Sequence, residues 1–224
     1  YFHSRYATRP DGSEVKSEDP KEYLYTMPYS TIAKYDVGKR PSPEWPGKEQ
    51  SPAIKPLATE LIDSVENYVK ANGLDPMRYN IEIKCRKGKD EGKNWPEYHE
   101  FVDKCMELLL SKNLGDRLVV QCFDARALNY MHEKYPQVKL SYLIGKKDTD
   151  WDTYMGKLDF TPEWLSPEFV IVDQTMVDNC RKAGIRLVPW TVDNEADIMR
   201  ILDLHVEAII SNYPDRVLKI TRGY

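Results

Sequence analysis

The chain has 224 residues, 41% of them hydrophobic and 30% charged, with a formal charge of −4 and a pI near 5.7, which gives enough apolar material for one sizeable core. No apolar run reaches the length needed to cross a bilayer, and the acidic balance argues against a nucleic-acid partner, which requires a broad basic face. Cys85, Cys105, Cys122 and Cys180 are widely spaced with no C-x-x-C pair, so neither a zinc site nor a disulfide framework is indicated.

Residues 1–56 lack sustained periodicity and hold many of the prolines and six tyrosines: Tyr1, Tyr6, Tyr23, Tyr25, Tyr29 and Tyr35. So aromatic a segment is expected to pack as an irregular excursion over a domain face. Pro10-Asp11-Gly12 reads as a turn, and Lys39 to Gly47 as an exposed loop pinned by Trp45. From Leu57 the texture becomes regular. Leu57, Leu61, Ile62, Val65 and Val69 share a helical face, and Gly73 is placed to end that helix with a left-handed residue.

Asn80-Ile81-Glu82-Ile83-Lys84 alternates as a strand does, setting Asn80, Glu82 and Lys84 on one face. A carboxylate and an ammonium two positions apart need each other, a metal or an anion to compensate them when buried. Two readings stand side by side: a chemical site, or an intramolecular ion pair near a strand end. The basic, glycine-punctuated stretch Cys85 to Lys93 follows, where a βα architecture holds its ligands.

A helix with Phe101, Val102, Cys105, Met106 and Leu109 is expected next, then a strand from Leu118 to Phe123 apolar enough to be buried on both faces. The pattern continues with a helix from Ala125 to Tyr135 stopped by Pro136, a strand from Leu140 to Ile144, a helix around Trp151 to Gly156, and a short strand near Trp164 to Ser166. A helix from Gln174 to Ala183 ends at Gly184. A strand from Ile185 to Thr191, a helix capped by Asn194, a strand from Ala208 to Ser211 and a short helix after Pro214 complete the chain. Six strands alternating with helices imply a parallel α/β sheet, either a (β/α) barrel or an open doubly wound sheet. No G-x-G-x-x-G follows a strand, which counts against the dinucleotide-binding form.

Four strand ends together, Asn80-Ile81-Glu82-Ile83-Lys84, Val120-Gln121-Cys122-Phe123-Asp124, Val188-Pro189-Trp190-Thr191-Val192-Asp193 and Ala208-Ile209-Ile210-Ser211-Asn212-Tyr213-Pro214-Asp215, resemble the glycerophosphodiester phosphodiesterases from about Leu57 to Arg216. The resemblance implies a (β/α)8 TIM barrel of the phospholipase-C-like phosphodiesterase type, of which this chain supplies about six βα units. It implies one catalytic barrel domain over residues 1–224, with 1–56 an irregular excursion and 57–224 the repeats. It also implies metal-dependent hydrolysis of a small-molecule glycerophosphodiester, such as glycerophosphocholine or glycerophosphoethanolamine, to glycerol 3-phosphate and an alcohol. By the same resemblance Glu82 is a ligand of a divalent metal, Ca²⁺ or Mg²⁺, Lys84 faces the phosphate in a catalytic and substrate-binding role, and Gln121, Phe123 and Trp190 form the pocket wall. The chemistry agrees, since carboxylate oxygen suits these hard cations and an ammonium neutralises charge on a reacting phosphodiester oxygen. For Phe123 and Trp190, core packing is the competing explanation.

The chain departs from the family pattern in several places. Cys122 stands where serine is common, Asp193 where asparagine is common and Asn212 where aspartate is common. The family's H-R-G strand, its E-x-D strand and a following histidine are not found, and Tyr1-Phe2-His3 resembles what comes after that histidine. The chain is therefore expected to lack the first two barrel strands. An alternative alignment makes His3 a catalytic histidine, with Arg9 six residues on, although Ser4 and not an acid follows it. His99, His132 and His205 are expected at the surface or as caps. Two other functions remain open: a non-catalytic relative that binds or supports, and a Schiff-base barrel aldolase using Lys84.

Overall fold

A computed structural model describes residues 7–16, 18–41, 47, 49–85, 87–88 and 91–222. His3, Trp45 and part of the basic loop after Lys84 lie outside the described residues. The chain divides into two compact units, residues 1–77 with 88–97, and residues 78–87 with 98–224.

In the first unit α1 (Tyr29–Ile32) and α2 (Ala58–Ala71) are the α-helices among the described residues. Ala7 and Tyr35 are buried, with Val15, Leu24, Met27, Ile32 and Val37 packed around them. Thr8 bridges Glu14 on one side and Asp36 on the other, and Arg9 fastens the turn below by donating to Asp19 at 2.7 Å and Glu22 at 3.0 Å. Pro10-Asp11-Gly12 is a turn: the Gly12 N–H returns to the Arg9 carbonyl at 2.9 Å, with Gly12 at φ +86°. Helix α2 ends as its sequence indicates, Gly73 taking the left-handed conformation at φ +61°. Its buried stripe is narrower than expected. Ile62 and Val69 are buried, whereas Leu57 and Leu61 are 40% and 53% exposed. Ile62 and Val69, seven residues apart, return to the same side of the helix, while Leu57 precedes its first turn and Leu61 is rotated off it.

The second unit is a run of βα repeats. It comprises β1 (Tyr79–Glu82), α3 (Tyr98–Ser111), β2 (Leu118–Cys122), α4 (Ala125–Lys134), β3 (Lys139–Ile144), α5 (Trp151–Met155), β4 (Trp164–Pro167), α6 (Gln174–Ala183), β5 (Arg186–Leu187), α7 (Glu195–Asp203) and α8 (Pro214–Thr221). Helix starts are capped by side chains, Asp124, Asp150, Asp173 and Asn194 each accepting a backbone N–H of the first turn, and Gly184 closes α6 at φ +71°. The strands pair in parallel in the order β1-β2-β3-β4-β5. A sheet that adds each strand beside the last winds one way, as a barrel does, whereas a doubly wound sheet reverses at a switch point. Val120, Cys122, Leu140, Ile144, Leu165 and Leu187 on the outward side of the sheet are at most 1% exposed.

Residues 208–212 extend this order as a sixth segment without forming a regular strand. Ala208 and Ile210 donate to the carbonyls of Leu187 and Pro189 at 3.4 and 2.9 Å, and Val192 donates back to Ile210 at 2.9 Å. Two bonds that would run the other way, from residues 187 and 189, are missing for local reasons. The Leu187 N–H goes to the Glu207 carboxylate at 2.7 Å, and Pro189 has no N–H to give.

Candidate active site at the strand ends

The register Asn80↔Val119 and Glu82↔Gln121, continued by Gln121↔Ser141 and Leu143↔Ser166, sets a row of polar side chains across four strands. They bond to one another. Asn80 Nδ2 donates to Gln121 Oε1 at 3.1 Å, Ser166 Oγ reaches the same oxygen at 3.4 Å, and the hydroxyls of Ser141 and Ser166 lie 2.7 Å apart. Gln121 is 8% exposed and both serines are fully buried, so mutual hydrogen bonding is what makes this layer tolerable inside a sheet. Trp190 is attached to it, its indole Nε1–H donating to the Ser166 carbonyl at 2.8 Å.

Toward the C-terminal ends of the strands on the same side come the residues that the sequence singled out. Lys84 Nζ donates to Glu82 Oε2 at 2.5 Å, with the Lys84 side chain 59% exposed and that of Glu82 23%. The ion-pair reading of this stretch is thus realised, at a position where the ammonium still reaches solvent. Phe123 and Trp190 meet edge to face, ring centroids 5.5 Å apart and planes at 87°. Phe123 is 46% exposed, so this contact builds a surface and not a core. Beside Phe123 opens a cleft of about 650 Å³ lined also by Cys85, Lys87, Asp124, Arg126 and Lys157. The Asp124 carboxylate caps α4 through the Arg126 N–H and holds the Arg126 guanidinium at 2.6 Å, while that guanidinium lies 4.5 Å from the centroid of the Tyr98 ring.

The structure places Glu82, Lys84, Gln121 and Phe123 at or just past the ends of the adjacent strands β1 and β2, and Trp190, beyond β5, against Phe123. His3 lies outside the described residues. His99, His132 and His205 are exposed, with His99 against Tyr98 and Tyr130, His132 stacked on Phe160 at 4.1 Å, and His205 following α7 with its carbonyl accepting from Arg181. Asn80, Ser141 and Ser166 escaped the sequence reading as parts of the site. A single serine inside each of the otherwise bulky stretches Leu140-Ser141-Tyr142 and Leu165-Ser166-Pro167 is the available signal.

Ca²⁺ and Mg²⁺ take six or more oxygen ligands between protein and water. Among the described residues no three His, Cys, Asp or Glu side chains group to hold a metal, and the Glu82 carboxylate is engaged by Lys84. The described residues do not by themselves make a metal centre.

A model of the glycerophosphoryl diester phosphodiesterase family matches residues 10–216. The glycerophosphodiester phosphodiesterase of Bacillus subtilis (strain 168) is 29% identical over 120 residues, covering 53% of this chain and 41% of the relative. That of Caldanaerobacter subterraneus subsp. tengcongensis is 24% identical over 168 residues, covering 74% of this chain and 64% of the relative. The chain thus spans between 41% and 64% of the length of these two curated relatives. Among solved structures, a Silicibacter pomeroyi protein assigned to the glycerophosphoryl diester phosphodiesterases superposes with a TM-score of 0.80 at 19% identity, over 98% of this chain and 75% of that one. An Oleispira antarctica phosphodiesterase in complex with the product sn-glycerol-3-phosphate does so with 0.67 at 22% identity, over 95% and 81%. These likenesses identify the fold as a partial (β/α)8 barrel.

Proposed function

The chain belongs to the glycerophosphoryl diester phosphodiesterase family, and on that premise we propose that it forms part of an enzyme hydrolysing glycerophosphodiesters, such as glycerophosphocholine or glycerophosphoethanolamine, to glycerol 3-phosphate and an alcohol. The observation that carries the reading is the Glu82–Lys84 pair beside Gln121 and the Phe123–Trp190 wall. In this reading Lys84 neutralises a non-bridging phosphate oxygen as charge builds on it, and Glu82 fixes the direction of that ammonium. Phe123 and Trp190 receive the carbon skeleton of the glycerol or alcohol, with Gln121 in the wall beneath. Metal dependence, on Ca²⁺ or Mg²⁺, belongs to the same proposal, with Glu82 as one hard oxygen donor. His3 is the candidate for proton transfer. Against the aldolase alternative, the Lys84 nitrogen that would have to form a Schiff base is already hydrogen-bonded to the Glu82 carboxylate at 2.5 Å.

The test is release of glycerol 3-phosphate from glycerophosphocholine, with and without added Ca²⁺ or Mg²⁺, by the unaltered protein and by Glu82→Gln and Lys84→Met. The expected result is metal-dependent release that falls by about 100-fold or more in each variant. Release that survives Glu82→Gln removes that carboxylate from the metal, and release that survives Lys84→Met removes the ammonium from the chemistry.

A further inference from the structure

Phe123 stands on the inner side of the sheet, two residues past Gln121, whereas Tyr142 stands on the outward side, paired in register with Cys122. The cleft that both of them line therefore runs over the end of β2. Three cations border it from three segments: Lys87 past β1, Arg126 in the first turn of α4 and Lys157 past α5. Arg126 is held by the Asp124 carboxylate at 2.6 Å. Asn129 fixes the backbone at Lys157, its amide donating to the Lys157 carbonyl and its oxygen accepting the Asp159 N–H, both at 3.1 Å. The Lys157 ammonium lies 3.5 Å from Asp148, with its side chain 49% exposed. Lys87 is exposed and has no ion-pair partner among the described residues. The two carboxylates nearby are already engaged, Asp124 by Arg126 and Asp148 by Lys157 and the Gly145 N–H.

Tyr142 carries the argument further. It is only 3% exposed, yet its phenol oxygen has no hydrogen-bond partner among the described residues and is not sealed from solvent. A buried hydroxyl left unpaired costs stability, and an acceptor held in the cleft removes that cost. Burial first, then the charges of Asp148 and Asp124, push its pKa up to about 12, so the group stays an O–H donor. Two ammoniums, a guanidinium and a phenol O–H around one cleft share an anion as their natural partner. We propose that this cleft is the subsite for a phosphate carried on the alcohol of the glycerophosphodiester, so that the preferred substrates release an alcohol that is itself phosphorylated. The proposal rests on the reading of Lys84 and Phe123 given above, and it extends the bound diester past Phe123. Donors from four segments suit the three oxygens of a phosphate better than the two of a planar carboxylate. A choline in the same place meets three like charges, which disfavours it.

The experiment titrates the protein calorimetrically, at about 0.15 M salt, with glycerophosphoinositol 4-phosphate, glycerophosphoinositol, glycerophosphocholine and inorganic phosphate. The phosphorylated diester is expected to bind at least about 10-fold tighter than glycerophosphoinositol, with glycerophosphocholine weakest. Lys87→Met, Lys157→Met and Tyr142→Phe each lower the affinity for the phosphorylated diester by about 3- to 10-fold and leave that for glycerophosphoinositol unchanged. Lys182→Met, the same loss of charge on α6, alters neither. Tyr142→Phe also keeps its Tm, because the hydroxyl it removes bonds to nothing else among the described residues. Three results overturn the subsite while the glycerophosphodiester reading stands: diesters bound without regard to the added phosphate, a preference untouched by the three variants or lost equally in Lys182→Met, or inorganic phosphate bound as tightly as the phosphorylated diester. Binding of none of the diesters brings down that reading and the subsite with it.

Discussion

The Asp193 carboxylate accepts a hydrogen bond from the side-chain amide of Asn212 at 2.9 Å, so two positions nineteen residues apart that the sequence reading singled out meet in a single contact. The other Asp193 oxygen accepts from the Asn212 N–H at 2.8 Å and from Ser211 Oγ at 3.1 Å, and Arg216 donates to the Asp193 carbonyl. A carboxylate facing an amide is satisfied whichever strand end carries which group; two carboxylates facing each other are not. Asn212→Asp is expected to cost about 1–2 kcal/mol, and adding Asp193→Asn to recover most of it. Urea unfolding of both singles and the double measures the coupling, and simple additivity of the two singles contradicts a direct interaction.

Phe123 and Leu165 separate a binding wall from a core. Leu165 is fully buried, so Leu165→Ala is expected to cost about 2–5 kcal/mol. Phe123, 46% exposed, should lose less than about 1 kcal/mol on truncation to alanine, while glycerol 3-phosphate binding weakens about 3- to 10-fold with loss of the aromatic face. Calorimetric titration alongside thermal melts distinguishes the two; a large loss of stability in Phe123→Ala makes that ring a packing residue.

Asp103 joins α3 to α4, accepting from Lys134 at 2.8 Å, Tyr135 at 2.7 Å and Tyr130 at 3.0 Å. Lys134 first, then Tyr135 and Tyr130, hold its carboxyl below the usual carboxylate range against the opposing effect of burial. A depressed folded value means that the stabilisation is present above the unfolded value of about 3.9 and is lost as pH falls through the folded one. Asp103→Asn should therefore lower the Tm at neutral pH and converge with the unaltered protein in acid. Melts from pH 7 down to about pH 2 follow this difference, and a constant Tm gap across the range rules it out.

Gly38 sits where no side chain fits. A Cβ built there would lie 2.1 Å from the Ser51 carbonyl oxygen and 2.8 Å from Ala53 Cβ. The segment is held by the Val37 N–H to the Ala53 carbonyl at 2.8 Å. Gly38→Ala is expected to cost at least about 2 kcal/mol locally, seen as faster hydrogen exchange of the Val37 amide, and unchanged exchange there counts against it.

What the sequence made legible was whatever a local rule decides. The helix from Gln174 to Ala183 begins and ends at the residues expected because Asp173 caps it and Gly184 alone turns left-handed at its end. The strand ends bearing Glu82, Lys84, Gln121, Phe123 and Trp190 were found through ordered motifs, and their alternation set which side each one faces. Contacts that join distant segments stayed hidden. Nothing in the order of residues says that Asp193 and Asn212 touch, or that the Leu187 N–H is taken by the Glu207 carboxylate so that the sixth segment loses one bond of its ladder. Leu57 and Leu61 share the periodic face yet stay exposed, because periodicity marks a direction around a helix without marking how wide the covered arc is.

The layer of Asn80, Gln121, Ser141 and Ser166 consists of amides and hydroxyls, none of which ionises in the range a cell experiences. Acidification or alkalinisation can rearrange the charged groups above it and leave this floor electrically silent. Any dependence of ligand capture on proton concentration must then originate among the titratable groups around the mouth, and engineering of such a dependence has a defined region in which to work.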